Sequence, residues 1–264
     1  NMLFTNIIEV IQNTIEGSDY SLRVHYLDED ADEVKEAVRM CREHKPMGIL
    51  FLGGNIQYFH EEFELVNVPC VLVTDRADKL GFRNLASVST DDMAAAEMAV
   101  DYLFDHGHRD IAVIGGDMAL SSPSKYRKAG AKRSFIKHGC EFEEESYAVA
   151  RFSYESAYNA MNRMLASKRS ITAVFAMSDV MAVGAMRAIF DAGLRVPEDI
   201  SVIGFDGTLL ADYYNPKIVT VCQGYEKIAR KSIDLLFGMI DLNKPATHEL
   251  VPFSLKNTES VSSI

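Results

Sequence analysis

The chain is 264 residues long, with 48% hydrophobic and 25% charged residues, a balance typical of a folded globular protein and not of a disordered or fibrous one. Its formal net charge of −11 argues against this polypeptide holding a nucleic-acid phosphate backbone by itself. No apolar run approaches the roughly 20 residues that cross a bilayer, and residues 1–6 lack the basic stretch of a secretory signal. These features argue against a membrane span and give no support to export.

Helices and short apolar strands alternate along the chain. Apolar residues at helical spacing open it, and Gly17 follows where a helix would end. Short apolar runs that end in glycine are typical of parallel strands covered on both faces. Before residue 117 we predict helices at 7–15, 34–41 and 91–105, and strands at 22–27, 47–52, 70–73 and 111–114.

The same alternation begins again after Gly116. The strand–helix repeat implies parallel sheets with right-handed crossovers. No low-complexity linker separates the halves, so we predict an α/β fold of two similar doubly wound lobes joined by short crossings, with a ligand cleft between them. After residue 116 we predict helices at 125–138, 153–166, 179–192 and 225–240, and strands at 147–150, 171–176, 200–203, 218–222 and 250–253.

The four cysteines indicate the redox environment of the chain. Cys41, Cys70, Cys140 and Cys222 are scattered and form no Cys-x-x-Cys pair, and three of them lie in or beside apolar segments. Such a pattern is typical of small buried hydrophobic residues in a reducing compartment, and we favour this interpretation over disulfides or metal ligands. The sequence therefore predicts a cytoplasmic protein.

Motifs of enzymes and metal sites are absent from the sequence. There is no Walker-type phosphate loop and no G-x-G-x-x-G, H-E-x-x-H or G-x-S-x-G pattern. His106 and His108 could ligate a metal, but their place beside Gly107 favours a role at a helix end. Capping at a helix start explains Asp91 and Asp92. We therefore predict no catalytic residues, no metal and no cofactor.

Polar and aromatic residues recur where the predicted strands end. In open α/β sheets this carboxyl edge is where ligands bind. Carboxylate, guanidinium and amide groups beside an aromatic ring suit the recognition of a sugar. Simpler explanations exist for each: Asp75 could pair with Arg76, Phe152 could belong to the core, and Asp206 could form a turn. The residues are Asp75, Arg76, Phe152, Ser178, Asp179, Asp206 and Gln223.

Five segments carry motifs in an order found in one family. They span residues 88–91, 103–116, 175–184, 193–206 and 220–223. On these motifs the chain resembles the effector-binding core of the LacI/GalR (lac repressor) family of bacterial transcription regulators, which shares the type I fold of periplasmic sugar-binding proteins. The resemblance covers essentially the whole chain.

The resemblance implies how the chain is divided. The first lobe would comprise residues 1–116 and 224–251, and the second lobe residues 117–223 and 252–264, joined by three crossings. A first core strand and a helix-turn-helix DNA-binding headpiece would lie upstream, outside this sequence. The family also implies a homodimer formed through the core and a repressor that contacts operator DNA only through that headpiece.

The resemblance further implies which side chains hold the ligand. From the first lobe, Asp75 and Arg76 would bind ligand hydroxyls, and Phe4 would close on the sugar ring. These three residues stand at the positions of the family's motifs.

In the second lobe, Arg127 of an Arg-x-x-Gly element would bind polar groups, Phe152 would stack on the ring and Asp206 would accept hydrogen bonds from hydroxyls. Gln223 would lie at the hinge. Ser178 stands where the family commonly has asparagine, and this departure removes an amide that holds hydroxyls. The identity of the ligand is therefore left open.

We expect a non-enzymatic sensor that closes on a small molecule, a sugar or sugar derivative, and controls operator binding allosterically. The alternative is a periplasmic sugar-binding protein of a transport system, which an upstream signal peptide would favour. An enzyme acting on sugars is a weaker third interpretation.

Overall fold

The computed structural model describes residues 2–28, 30–167 and 170–264, and contains two β-sheets flanked by helices. This confirms the predicted α/β fold. In chain order the helices and strands are α1 Met2–Ile15, α2 Glu33–His44, β1 Ile49–Leu52, β2 Cys70–Val73, β3 Leu85–Thr90, α3 Asp92–Asp105, β4 Ile111–Gly115, α4 Ser122–Lys137, β5 Tyr147–Val149, α5 Tyr154–Ala166, β6 Ala173–Ala176, α6 Asp179–Asp191, β7 Ser201–Asp206, α7 Leu209–Tyr213, β8 Val219–Cys222, α8 Tyr225–Leu242, β9 His248–Val251 and β10 Ser254–Lys256.

The first sheet consists of parallel strands in the order β1-β2-β3-β9. Successive residues of a strand point to opposite faces of the sheet. Val71 and Val73 of β2 pack with α1 and α8, whereas Leu72 packs with α2 and the turns that follow β1. This cover on both faces is why β2 is apolar at every position.

The second sheet has the order β10-β8-β7-β6-β4-β5 and is parallel except for β10, which runs antiparallel to β8. Helix α3 packs against α4, and α5 packs against α6, over the strands of this sheet. Its core includes the fully buried Ile114, Phe175 and Phe205. In the described part of the chain, none of the helices is both long and apolar enough to traverse a bilayer.

The chain passes between the two sheets three times. The crossings lie at residues 90–91, between β3 and α3, at 223–224, between β8 and α8, and at 252–253, between β9 and β10. Because the crossings are short, any closing motion of the two sheets must be absorbed by a few residues there.

The lobe boundary that we predict at residue 116 differs from the observed pairing of the strands. That boundary would place α3 and β4 in the first lobe, but β4 pairs with β5 and β6 of the second sheet. Helix α3 likewise packs closely on α4, where Gly130 approaches the backbone of Met93. A parallel strand buried on both faces has the same sequence pattern in either sheet, so periodicity could not assign β4. We now propose residues 2–90 and 224–251 as the first lobe and residues 91–223 and 252–264 as the second.

The predicted strand at 22–27 is wrong. Its residues are unpaired, and Tyr26 and Leu27 are exposed. Alternating apolar residues form a strand only where a neighbouring backbone supplies hydrogen bonds, and none of the described residues does so here.

Conversely, the sequence pattern did not predict strand β3, because Ser87, Ser89 and Thr90 make this segment look polar. Ser87 is buried because its hydroxyl oxygen accepts from the Ala77 backbone N–H at 3.1 Å.

Candidate functional site

Two carboxyl groups mark the place where the sheets approach each other. Asp75 directly follows β2 of the first sheet after Thr74, and Asp206 ends β7 of the second. The charge of one guanidinium, that of Arg127, acts on both carboxyl groups. The same face is crossed by a hydrogen bond of 3.2 Å from Asn55 Nδ2 to the carbonyl oxygen of Ala119. The carboxyl ends of strands from both sheets thus lie close together, at the edge where open α/β architectures place their ligand clefts.

Asp206 has an unusual backbone and an unsatisfied side chain. Its φ of 117° lies in a region that costs a residue other than glycine about 1–3 kcal/mol. The residue is only 2% exposed, and its Oδ2 has no hydrogen-bond partner among the described residues. Burial raises the pKa of the carboxyl group, and the neighbouring Asp179 raises it further although Arg127 lowers it. A strained backbone that holds a buried, unpaired acceptor is typical of a binding position.

A chain of hydrogen bonds ties Asp206 to two of the crossings. Gln223 Nε2 donates to Asp206 Oδ1 at 2.8 Å, and Thr90 Oγ1 donates to Gln223 Oε1 at 3.2 Å. Thr90 ends the strand before the first crossing, and Gln223 lies at the second. All three side chains are buried. The position of Asp206 is therefore linked to the segments that join the lobes.

Asp75 is the matching group of the first lobe. It is 1% exposed, and one of its oxygens, Oδ1, accepts from the backbone N–H of Arg76 at 2.7 Å. The other oxygen, Oδ2, has no hydrogen-bond partner among the described residues. Burial raises the pKa of Asp75 to about 7, although the Ser122 hydroxyl and Arg127 favour the charged form. Ser122 belongs to α4 of the second lobe, so groups of both lobes act on the pKa of Asp75.

Arg76 does not neutralise Asp75. Its guanidinium pairs with Asp78, with Nε 3.1 Å from Oδ1, and its side chain is 40% exposed. Only the backbone N–H of Arg76 contacts the Asp75 carboxylate. The pairing of Asp75 with Arg76, which we considered as a simple explanation, is thus not observed, although the charge of the Arg76 guanidinium lowers the pKa of the nearby Asp92.

The hydrogen bonds and the ring contact of Arg127 lie within the second lobe. Its Nε donates to Asp92 Oδ1 at 2.7 Å, and its Nη1 donates to the carbonyl oxygen of Met177 at 2.6 Å. The guanidinium carbon lies 3.8 Å from the centroid of the Phe205 ring. The residue is 4% exposed. Arg127 thus joins the start of α3, the end of β6 and β7, and a ligand would share its charge with Asp92.

The side chains of Ser178 and Asp179 form hydrogen bonds with other groups of the protein. Ser178 Oγ caps α6 by accepting from the backbone N–H of Met181 at 3.1 Å. Asp179 accepts from the backbone N–H and hydroxyl of Thr208 at 2.7 and 2.8 Å, and from the Thr220 hydroxyl at 2.5 Å. Burial is the main cause that raises the Asp179 pKa. These bonds fix the segment after β7 and so help to hold Asp206 in place.

Two aromatic rings lie at the strand ends. Phe4 is in the first turn of α1, and its Cζ would be 2.8 Å from a Cβ placed on Gly53, the residue after β1. Phe152 is half-buried, and its Cε2 would be 2.9 Å from a Cβ placed on Gly116, the residue after β4. Glycine at these positions lets each ring approach the backbone closely. One ring is thereby presented at the carboxyl edge of each sheet.

The comparisons with known proteins fit this two-lobed geometry. The periplasmic binding protein-like domain family matches residues 100–261. The HTH-type transcriptional regulator MalR of Clostridium butyricum is 32% identical over the whole chain, which covers 79% of that protein. The chain belongs to the LacI/GalR family of transcriptional regulators. Its relatives are regulators and not enzymes, as the lack of catalytic motifs predicted.

Solved structures share the fold of this LacI/GalR core. A complex of the transcriptional regulator CelR with cellobiose superposes with a TM-score of 0.86 at 23% identity, covering 98% of this chain and 79% of that one. A LacI family regulator from Enterococcus faecium with bound ribose superposes with a TM-score of 0.85 at 21% identity, covering 100% and 96%. At these identities the likeness establishes the architecture.

Sequence reasoning missed the partner of Arg127 in this LacI/GalR core. We predict Asp91 and Asp92 both as helix-capping residues, and Asp91 does cap α3 by accepting from the Ala94 N–H at 3.1 Å. Asp92 instead forms the buried ion pair, and burial raises its pKa despite Arg127. The two residues are 35 positions apart, and no local pattern signals such a contact.

We expect the Asp75→Asn variant to gain stability relative to the native chain as the pH rises. The pKa of an aspartate is about 3.9 in an unfolded chain, whereas that of Asp75 is about 7 in the folded protein. Between these values the folded state binds more protons, so the free energy of unfolding falls as pH rises from about 4 to 7. An asparagine side chain does not titrate, so the variant does not lose unfolding free energy in this way as the pH rises. Urea unfolding at pH 5 and pH 8 should show a relative gain of about 1–3 kcal/mol.

The surface residue Asp199, which pairs with Arg195 at 2.8 Å, gives the matched control. Asp199→Asn should show no such gain with pH, because the pKa of Asp199 is lowered by Arg195. A constant difference between Asp75→Asn and the native chain at the two pH values would contradict a raised pKa at Asp75.

Proposed function

We propose that this chain is the effector-sensing domain of a bacterial transcriptional repressor that closes on a sugar or sugar derivative. The observation that carries the proposal is the pair of buried, unpaired carboxyl oxygens, one on Asp75 of the first lobe and one on Asp206 of the second. Ligand hydroxyls that donate to both would bridge the lobes. Phe4 and Phe152 supply apolar faces for the ring.

Closure would control DNA binding through a shift in population. A ligand that contacts both lobes binds the closed state more tightly than the open one, and it shifts the equilibrium by that difference in affinity. The hydrogen bonds from Asp206 through Gln223 to Thr90 connect the site to two crossings. We propose that, through this connection, closure of the lobes changes the position of a DNA-binding headpiece on the operator. We also propose that the protein is a homodimer and acts in the cytoplasm.

The relatives favour the regulator over the periplasmic alternative. MalR and the PurR of Pasteurella multocida are both named as HTH-type transcriptional proteins, and this chain covers most of each. The solved complexes with cellobiose and ribose support a sugar as the class of effector. The acidic core itself has a net charge of −11, so DNA contact would fall to a separate segment.

A thermal-shift screen with sugars, sugar phosphates and nucleobases tests the sensing function. A ligand that binds only the folded state raises the melting temperature. With the best binder, we expect Asp206→Ala and Phe152→Ala each to weaken binding by about 1–3 kcal/mol in calorimetry, because a polar partner or a stacking face is lost.

Asp199→Ala serves as the control. Asp199 lies on the surface, where it pairs with Arg195, so its substitution should leave the affinity unchanged. Unchanged affinity in both site variants would show that the ligand binds elsewhere. Light scattering on the same samples reports whether the core is a dimer.

A further inference from the structure

Two carboxyl groups buried at the cleft, those of Asp75 and Asp206, form no ion pair with the described residues, although the charge of Arg127 acts on both. Asp75 and Asp206 are 1% and 2% exposed, and each keeps one oxygen without a hydrogen-bond partner among the described residues. Buried polar groups are normally satisfied, and buried charges are normally paired. The missing partners must therefore come from what enters the cleft or from bound protons.

The nearby cations are already committed. Arg127 pairs with Asp92 and donates to Met177, and its planar face is covered by Phe205. Arg76 pairs with Asp78 outside the cleft.

Lys128, the next buried cation along α4, pairs with Glu144 at 2.5 Å. Among the described residues around the two free oxygens, the carboxyl groups of Asp75, Asp92, Asp179 and Asp206 outnumber the cations that act on them. Arg127 acts on Asp75, Asp92 and Asp206. Arg76, which pairs with Asp78, also acts on Asp92, and Lys256, which pairs with Asp212, acts on Asp179. The local field is negative, and a new anion would be repelled by it.

Donor groups are what this environment lacks. A carboxylate accepts hydrogen bonds and, when ionised, donates none. Ligand hydroxyls can donate to both free oxygens, and a ligand ammonium group can in addition offset the excess charge. A ligand carboxylate or phosphate would bring further acceptors and further negative charge. Burial raises the pKa of both aspartates although Arg127 lowers it, so a donor group of the ligand would favour their charged forms.

We propose that the cleft selects neutral or positively charged polyhydroxylated ligands, plain sugars and amino sugars, and rejects the same sugars when they carry a carboxylate or a phosphate. This inference rests on the proposed function, because it assumes that the effector binds between Asp75 and Asp206. It narrows the class of effector by charge.

Matched sugar series test the inference on the chain as it stands. The probes are glucose, glucosamine, glucuronic acid and glucose 6-phosphate, the corresponding galactose series, and the neutral sugars cellobiose and ribose. Thermal shift identifies the series that binds, and calorimetry at pH 7.5 measures each member. Within a series that binds, we expect the neutral sugar or the amino sugar to bind at least tenfold more tightly than either anionic member.

Two single substitutions connect this preference to the carboxyl groups. Asp75→Asn and Asp206→Asn keep the shape of the side chain and remove its charge, so each should reduce the discrimination against the anionic sugar by about tenfold or more. Asp199→Asn, which changes a surface carboxylate by the same chemistry, should leave the discrimination unchanged. Far-UV circular dichroism verifies that each variant is folded, and either folded site variant suffices.

The outcomes separate the inference from the function. Tighter binding of the anionic members, or a preference that survives in every site variant that folds, overturns the charge selection while the sensing of a small molecule stands. If no probe of any charge raises the melting temperature, sugar sensing itself fails and the inference fails with it.

Discussion

Arg127→Met is expected to lower the free energy of unfolding by about 3–5 kcal/mol, because it leaves the buried Asp92 carboxylate without its partner. Both side chains of this ion pair are only 5% exposed. The substitution also leaves the Met177 carbonyl oxygen without its donor and removes the cation that stacks on Phe205. Urea unfolding followed by far-UV circular dichroism measures the loss, because the sequence contains no tryptophan whose fluorescence could report unfolding.

An exposed arginine on another helix provides the control. Arg187 pairs with Asp191 at 2.7 Å within α6, and its side chain is 65% exposed. Arg187→Met should cost less than about 1 kcal/mol, as is usual for surface ion pairs. The double variant Arg127→Met/Asp92→Asn should recover part of the loss, because it removes the unpaired charge. Equal losses for Arg127→Met and Arg187→Met would contradict a buried ion pair.

Gly130→Ala is expected to cost about 2–4 kcal/mol of unfolding free energy. A Cβ at Gly130 would lie 2.1 Å from the carbonyl oxygen of Met93 and 3.0 Å from the backbone nitrogen of Glu97. These are backbone atoms of α3 that cannot turn aside, so α3 and α4 must separate and lose packing. Because α3 begins with Asp92, the separation would also disturb the ion pair with Arg127.

Gly238 is the matched glycine in α8. A Cβ there would first meet the flexible Lys244 side chain, at 3.3 Å from its Cδ. Gly238→Ala should therefore be neutral or stabilise the protein by up to about 1 kcal/mol, since alanine is the better helix former. The comparison of the two melting temperatures isolates the contact between α3 and α4. Similar effects of the two alanine substitutions would show that α3 and α4 can accommodate a Cβ at Gly130 without losing packing.

The strand ends could be located from the sequence, but their side-chain partners could not. The apolar runs that became β2 and β7 were recognisable, and with them the place of Asp75 and Asp206 at the carboxyl edge. Which charges meet there depends on how α3 lies on α4. The ion pair of Arg127 with Asp92 and the engagement of Arg76 by Asp78 therefore became apparent only from the folded chain.

The division into lobes shows the same limit. Periodicity identified β4 as a buried parallel strand, but membership of a sheet is decided by pairing across the chain. The segment 22–27 has the alternation of a strand and stays unpaired, because alternation describes one strand and a sheet requires two. Patterns of single segments thus predict elements better than they predict contacts.

The hydrogen bonds of Asp206 would limit attempts to change the ligand specificity that we propose for this chain. The oxygen that accepts from Gln223 and the oxygen without a hydrogen-bond partner among the described residues belong to the same carboxyl group, on a backbone with a φ of 117°. A substitution that alters what the cleft recognises at this position also releases Gln223 and, through it, Thr90 at the first crossing. We therefore expect variants selected at residue 206 for a new ligand to respond over a different range of ligand concentration. Variants at Phe152 should leave that concentration range unchanged.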